Sequence, residues 1–293
     1  VPEQAGAGTQ GGRFGARLAA AMAATSHLCV GIDPHPALLE AWGLPDDADG
    51  LRRFGDVLLD AVGEGAAAIK PQVALYERHG SAGLAALEEL LAQARVAGVL
   101  SIADAKRGDI GSTMAGYAEA WLGEPSPLRA DAVTLSPYLG VGSLSPAFEL
   151  AQRTGRGVFV LALTSNPEGA SVQHAGGDDA VAARVVREVA AVNRGLDLAA
   201  DVPAGTAGLG DVGLVVGATV GDAAAELGLD LAASAPPLLT PGYGAQGATA
   251  EQLRREFAQV WPQVLVPASR SLAKAGPDGV RPAVAAAVAE LSD

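Results

Sequence analysis

Short apolar runs alternate along the chain with longer stretches of helical periodicity. "HLCVGID" (27–33), "AAAIK" (66–70), "GVLSIAD" (98–104) and "DAVTLS" (131–136) read as buried strands. They continue with "GVFVLALT" (157–164), "DVGLVVGA" (211–218), "PPLLT" (236–240) and "QVLVPAS" (263–269). Uninterrupted apolar runs of this length suit strands covered on both faces. Between them, "SAGLAALEELLAQARVA" and "AVAARVVREVAAVNRG" are rich in helix formers. Eight buried strands alternating with helices predict an α/β fold, a (β/α)8 TIM barrel with loop insertions around 36–60 and 165–180. A doubly wound sheet is the competing arrangement. Against it, "GIDPHP" after the first strand is no GxGxxG fingerprint.

Ahead of the first strand, "RFGARLAAAMAATS" places Arg13 and Arg17 before an apolar stretch, as a signal peptide would. Phe14, Leu18 and Met22 recur at i, i+4 and i+8, which predicts instead an amphipathic N-terminal helix packed under the barrel. Residues 1–12 read as a flexible tail and residues 13–293 as one barrel domain.

Composition narrows the partners. A formal net charge of −13 argues against a nucleic-acid backbone or an anionic membrane, which would repel an acidic surface. A small phosphorylated ligand stays open, because it needs only converging backbone N–H groups and one arginine. The single cysteine, Cys29, allows no intrachain disulfide and suggests a reducing compartment; it sits in an apolar run and reads as core. No apolar run approaches the roughly 18 residues of a membrane span. A cytoplasmic location is the expectation.

The polar clusters gather where strands end. Asp33, Lys70, Asp104, Lys106, Ser165, Gln246 and Arg270 each fall at or just beyond the C-terminal end of an apolar run, the end at which βα loops of a barrel share one mouth. In "SIADAKRGD", Asp104 and Lys106 are two apart, so an extended strand aims both to one side while Ala105 points away. Asp109 lies beyond, at the expected start of the next helix. A lysine between carboxylates keeps its proton and is suited to donate it, whereas a Schiff base needs the neutral amine. Taken alone, a D-x-K is more often a solvated ion pair. With Asp33 and Lys70 it extends to an alternating Asp–Lys–Asp–Lys–Asp network suited to an ionised substrate bearing hydroxyls. "TPGYGAQGA" with Gln246, followed by "PASRSL" with Arg270, reads as a phosphate site in the seventh and eighth loops. Ser165 in "ALTSNPEG" could hydrogen-bond a planar polar ring or simply close a turn. His27, His35, His79 and His174 have no ligand-like spacing, so neither a metal site nor a Ser-His-Asp triad is expected.

These residues resemble the orotidine 5′-phosphate decarboxylase family over about residues 27–275. "DAKRGDIGST" matches the family's D-x-K-x-x-D-I-x-x-T; "GIDP", "IKPQVALYE", "TLSPYLG", "LTSNPEG", "TPGYGAQG" and "ASRSL" follow in the family's order, and "KPQ" is similar to its longer bacterial branch. The resemblance implies a homodimeric barrel, without metal or organic cofactor, that converts orotidine 5′-monophosphate to UMP and carbon dioxide. It implies that Lys106 protonates C6, that Asp104 faces the substrate carboxylate, and that Lys70 and Asp109 complete the charged array. It further implies that Asp109, Ile110 and Thr113 reach the neighbouring subunit's site. Asp33 would bind ribose hydroxyls, Ser165 the pyrimidine amide, and Gln246 with Arg270 the phosphate. Sister enzymes that decarboxylate keto-gulonate phosphate or form hexulose phosphate share the D-x-K-x-x-D core and use a metal, so that core alone does not decide; "LTSNPEG" and "PGYGAQG" favour the pyrimidine nucleotide. A non-catalytic phosphate binder is the alternative from another class, although a binder needs no proton donor.

Overall fold

The computed structural model describes residues 12–292 apart from Gly221 and Gln246; the expected tail, but for Gly12, lies outside the described residues. Eight parallel strands close into a barrel: β1 (Leu28–Ile32), β2 (Ala68–Pro71), β3 (Leu100–Arg107), β4 (Ala132–Leu135), β5 (Gly157–Leu163), β6 (Val212–Val216), β7 (Leu238–Leu239) and β8 (Val264–Ala268). Each strand pairs with its sequence neighbour, and β8 returns to β1 through Leu28–Val266 to Val30–Ala268. That closure sets the doubly wound sheet aside.

Period-two alternation sorts the strand residues into two layers. Cys29, Ala68, Ala132, Phe159 and Leu265 point into the barrel, where they pack with Phe14 and Leu18. Their neighbours Val30, Ile69, Val133, Val160 and Val266 face the surrounding helices. The helix Gly80–Val96 presents Ala86, Leu87, Leu90, Leu91 and Ala94 to that outer layer, and Val181–Asn193 presents Val185, Val186 and Val189.

The N-terminal helix α1 (Phe14–Ala24) closes the floor, with Phe14, Leu18 and Met22 buried as their spacing required. Small alanines inside the barrel leave room for two rings: Phe14 meets Phe159 edge-on, with centroids 5.9 Å apart. Burying Phe14 completely contributes about 2–3 kcal/mol. Gly157 makes the approach possible, because a Cβ there would lie 2.1 Å from the Phe14 ring. Two ion pairs hold the plug, Arg13–Asp211 at 3.1 Å and Arg17–Asp131 at 2.5 Å.

The insertion at 36–60 folds as two helices, Pro36–Ala41 and Ala48–Ala61, the second capped by Asp47 accepting from the N–H groups of Asp49 and Gly50. The segment after β5 turns back on itself, Gln173 accepting the Thr164 N–H at 2.9 Å and donating to its hydroxyl at 2.7 Å. Among the described residues no helix is long and apolar enough to cross a membrane.

Candidate active site

At the C-terminal mouth, β2 and β3 bring three charged side chains into one cluster. Lys70 sits opposite Gly31 in the β1–β2 register, and a bridge joins Gln72 to Asp104 beyond the β2–β3 ladder. The Lys70 Nζ donates to Asp104 Oδ2 at 2.8 Å, and the Lys106 Nζ donates to Asp104 Oδ1 at 2.6 Å. Two neutral donors complete the carboxylate: Gln72 Nε2 reaches Oδ2 at 3.1 Å and the Thr134 hydroxyl reaches Oδ1 at 3.0 Å. Each oxygen of Asp104 thus holds one ammonium proton and one neutral one, filling the roughly four lone-pair sites of an ionised carboxylate.

Lys70 and Asp104 are buried, whereas the Lys106 side chain is 45% exposed. Lys106 is therefore the member of the trio open to the mouth. Burial by itself would raise the Asp104 carboxyl; the ammonium groups of Lys70 and Lys106 outweigh it and hold the group well below the usual carboxylate range. Burial would likewise lower the Lys70 ammonium, yet Asp104 and Asp33 outweigh it and hold its pKa above the ordinary lysine value. The cluster is one buried carboxylate that accepts from two lysine Nζ groups. Cys29, beneath it on β1, is fully buried, and burial pushes its thiol up to about 12; it is a core residue, as its apolar run suggested.

β3 does not stop at Asp104. It runs to Arg107 through a bulge at which the β4 register jumps from Ala103–Val133 to Arg107–Leu135. Lys106 itself takes φ 47°, a left-handed conformation rare for a non-glycine residue. Asp104 and Lys106 share a side as expected, but a bulge rather than a regular extended strand brings them together.

Asp33 follows β1, and its Oδ1 is a buried acceptor without a hydrogen-bond partner among the described residues. Asp109 stands apart from the trio: its carboxylate accepts the Ile110 N–H at 2.8 Å. The five-member network expected from the residues is thus a trio of buried Lys70 and Asp104 with exposed Lys106, with Asp33 nearby in charge terms and Asp109 outside it. Ile110 and Thr113 are exposed at the start of the helix Gly111–Leu122. Ser165 is exposed two residues past β5, and Arg270 is exposed two residues past β8. Gln246 lies outside the described residues. The glycine loop after β7 packs onto the loop after β8, since a Cβ on Gly244 would come within 2.9 Å of Ser271. Ser269 and Ser271, on either side of Arg270, each keep a buried hydroxyl without a partner among the described residues.

Four polar residues of this mouth escaped the sequence reading. Gln72 was discoverable, because it lies two residues after Lys70 and shares its side. Thr134 carries no signal beyond ordinary β-propensity. Ser269 and Ser271 read as turn serines until burial shows their hydroxyls unpaired.

A parallel barrel with ammonium–carboxylate–ammonium at its mouth defines a class: a (β/α)8 enzyme scaffold whose mouth is suited to an anionic substrate. Residues 26–285 match the family model for orotidine 5′-phosphate decarboxylase / HUMPS, and the chain belongs to that family. It is similar to an orotidine 5′-phosphate decarboxylase of Salinispora arenicola, with 55% identity over 267 residues covering 90% of this chain and 91% of the relative. A crystal structure of a candidate orotidine 5′-phosphate decarboxylase from Streptomyces avermitilis superposes with a TM-score of 0.87 at 48% identity, covering 99% of this chain and 98% of that one. The Leishmania donovani OMP decarboxylase aligns with a TM-score of 0.72 at 31% identity, over 94% and 96% of the two chains.

Proposed function

We propose that this chain decarboxylates orotidine 5′-monophosphate to UMP and carbon dioxide, with Lys106 as the proton donor to C6. The observation that carries the reading is the Asp104 carboxylate held between the Lys70 and Lys106 ammonium groups. As the C6–carboxylate bond breaks, its electron pair stays on C6, where no adjacent carbonyl delocalises it. A fixed ammonium group stabilises that charge without reorganising during the reaction. Lys106 then gives its proton to C6 and is reprotonated from water. Asp104, beside the substrate carboxylate, opposes the bound ground state more than the transition state. Lys70 keeps Asp104 ionised and Lys106 in place.

Asp33 offers an unpaired acceptor for ribose hydroxyls, and Ser165 reads the pyrimidine amide. Arg270 with the sequence-assigned Gln246 holds the phosphate beside the unpaired Ser269 and Ser271 hydroxyls. Phosphate contacts far from C6 contribute binding energy through loop closure. Both oxygens of Asp104 already bind ammonium protons, which favours lysine-centred chemistry without metal or organic cofactor over the metal-dependent sister reactions.

The reading includes a cytoplasmic homodimer built from residues 13–293 as one unit. Its support is an apolar patch at the mouth: Ile110, Tyr138 and Leu139 are 61%, 82% and 54% exposed. Their loops adjoin, with the Ser136 N–H donating to the Arg107 carbonyl at 2.7 Å. Asp109 sits within that patch and would complete the partner's array with Ile110 and Thr113. Mixing Asp109→Ala with Lys106→Ala subunits should regenerate activity if sites are shared; mixtures as inactive as their components refute sharing. Fractionation should place the protein with soluble cytoplasmic markers, and recovery with membranes would oppose that.

The ultraviolet absorbance of orotidine 5′-monophosphate tests the reaction. Conversion by the purified chain, unchanged by EDTA, is expected; no conversion by folded protein would refute it.

A further inference from the structure

We propose that Thr134 is a positioning residue for this reaction, its hydroxyl tying the Asp104 carboxylate and the Lys106 backbone into one fixed register. The inference rests on the decarboxylase reading above and adds a residue to its machinery. Thr134 lies inside β4, and its side chain is buried at the base of the charged trio. The hydroxyl accepts the Lys106 N–H at 2.9 Å and contacts Asp104 Oδ1 at 3.0 Å.

The direction of these bonds follows from the chemistry of the groups. An N–H can only donate, so the hydroxyl oxygen accepts from Lys106. An ionised carboxylate can only accept, so the hydroxyl hydrogen goes to Asp104. The Lys106 ammonium group donates to the same Oδ1 at 2.6 Å. Lys106 is thereby held at both ends: its backbone through Thr134 to Asp104, and its side-chain nitrogen directly to Asp104. The three residues form a closed ring of hydrogen bonds.

That ring meets a specific need. Lys106 occupies the left-handed region at φ 47°, and its N–H falls where the β3–β4 register jumps. A side chain from β4 takes this N–H. The backbone conformation that aims the proton donor therefore depends on a buried, uncharged hydroxyl. Replacing it with a methyl group of the same shape leaves all three charges in place. It removes only the tether on the Lys106 backbone and one restraint on the carboxylate.

Thr134→Val and Thr134→Ser, assayed as full chains for kcat and KM on orotidine 5′-monophosphate, test this. Thr134→Val should lower kcat about 10- to 100-fold, the effect of a small misplacement of a reacting group, with KM within about threefold of wild type. Thr134→Ser, which keeps the hydroxyl, should recover kcat to within about threefold. If Thr134→Val does not fold, Thr134→Ala carries the same expectation against Thr134→Ser. A merely structural hydroxyl would lower the melting temperature and leave kcat of the folded variant unchanged. Folded Thr134→Val or Thr134→Ala within about twofold of wild-type kcat, or Thr134→Ser no better than either, overturns the inference. Those outcomes need an active wild type, so they differ from failure of the decarboxylase reading, in which wild type itself leaves the substrate unconverted and the inference falls with it.

Discussion

Asp104 at the mouth and Asp211 at the floor are both buried aspartates joined to cations, yet their carboxyl groups shift in opposite directions. At the floor, burial raises the Asp211 pKa, and the Gly15 N–H at 2.8 Å with the Arg13 guanidinium at 3.1 Å does not offset it. At the mouth, burial acts in the same sense but two ammonium groups at 2.6 and 2.8 Å overturn it. Two ammonium groups touch Asp104, whereas one guanidinium touches Asp211 and Arg17 acts on it only from further off. The floor uses an ion pair to seat a helix under the barrel. The mouth uses a second cation to keep a buried carboxylate ionised, which the proposed chemistry requires.

Taking away one mouth cation should make the mouth resemble the floor. Lys70→Ala leaves Asp104 with Lys106 alone, and its carboxyl should rise towards the ordinary range. Activity on orotidine 5′-monophosphate should drop at least about 100-fold. Losing one partner of a buried pair should also cost about 3–5 kcal/mol in urea unfolding. Turnover near wild type would show that the second cation is dispensable.

The floor should separate stability from activity. Arg17→Ala removes the pair with Asp131 and a bond to the Gly155 carbonyl at 3.0 Å. A loss of about 1–3 kcal/mol is expected, with kcat of the folded protein within about twofold. A selective loss of kcat would tie the floor to catalysis.

The smallest effect is a difference in pH slope. Asp211 has a raised folded pKa, so its stabilising contribution is present below the unfolded value of about 3.9 and is lost as pH rises through the folded value. Asp104 has a depressed folded pKa, so its contribution is present above about 3.9 and is lost as pH falls through the folded value. Wild type should therefore gain slightly on Asp211→Asn as pH falls from neutral towards the unfolded value, read by pH-dependent melting. A gap growing towards high pH instead would contradict the raised value at the floor.

The eight strands were legible because each is an apolar run with polar residues just past its end, and their limits shifted by only a few residues, as for 236–240 against the observed Leu238–Leu239. The helix under the floor was legible from Phe14, Leu18 and Met22. In the site, the two-residue spacing of Asp104 and Lys106 announced a shared side, and Lys70 joined them from the end of β2. The bulge in β3 was not legible, because a left-handed lysine leaves no compositional mark. Nor was Thr134, whose hydroxyl matters only once the β3–β4 register jump places it under Lys106. Asp109 was placed in the network by its spacing from Lys106 alone, whereas the family resemblance already set it towards a neighbouring subunit; its own-chain bond is to the Ile110 N–H.

Lys106→Ala bears most directly on the central claim, measured as loss of orotidine 5′-monophosphate absorbance beside wild type, with melting curves for both. The account expects a folded variant slowed by at least about 1,000-fold, since the substitution removes both the proton donor and the charge facing C6. A folded Lys106→Ala protein that turns over substrate at close to the wild-type rate would contradict it.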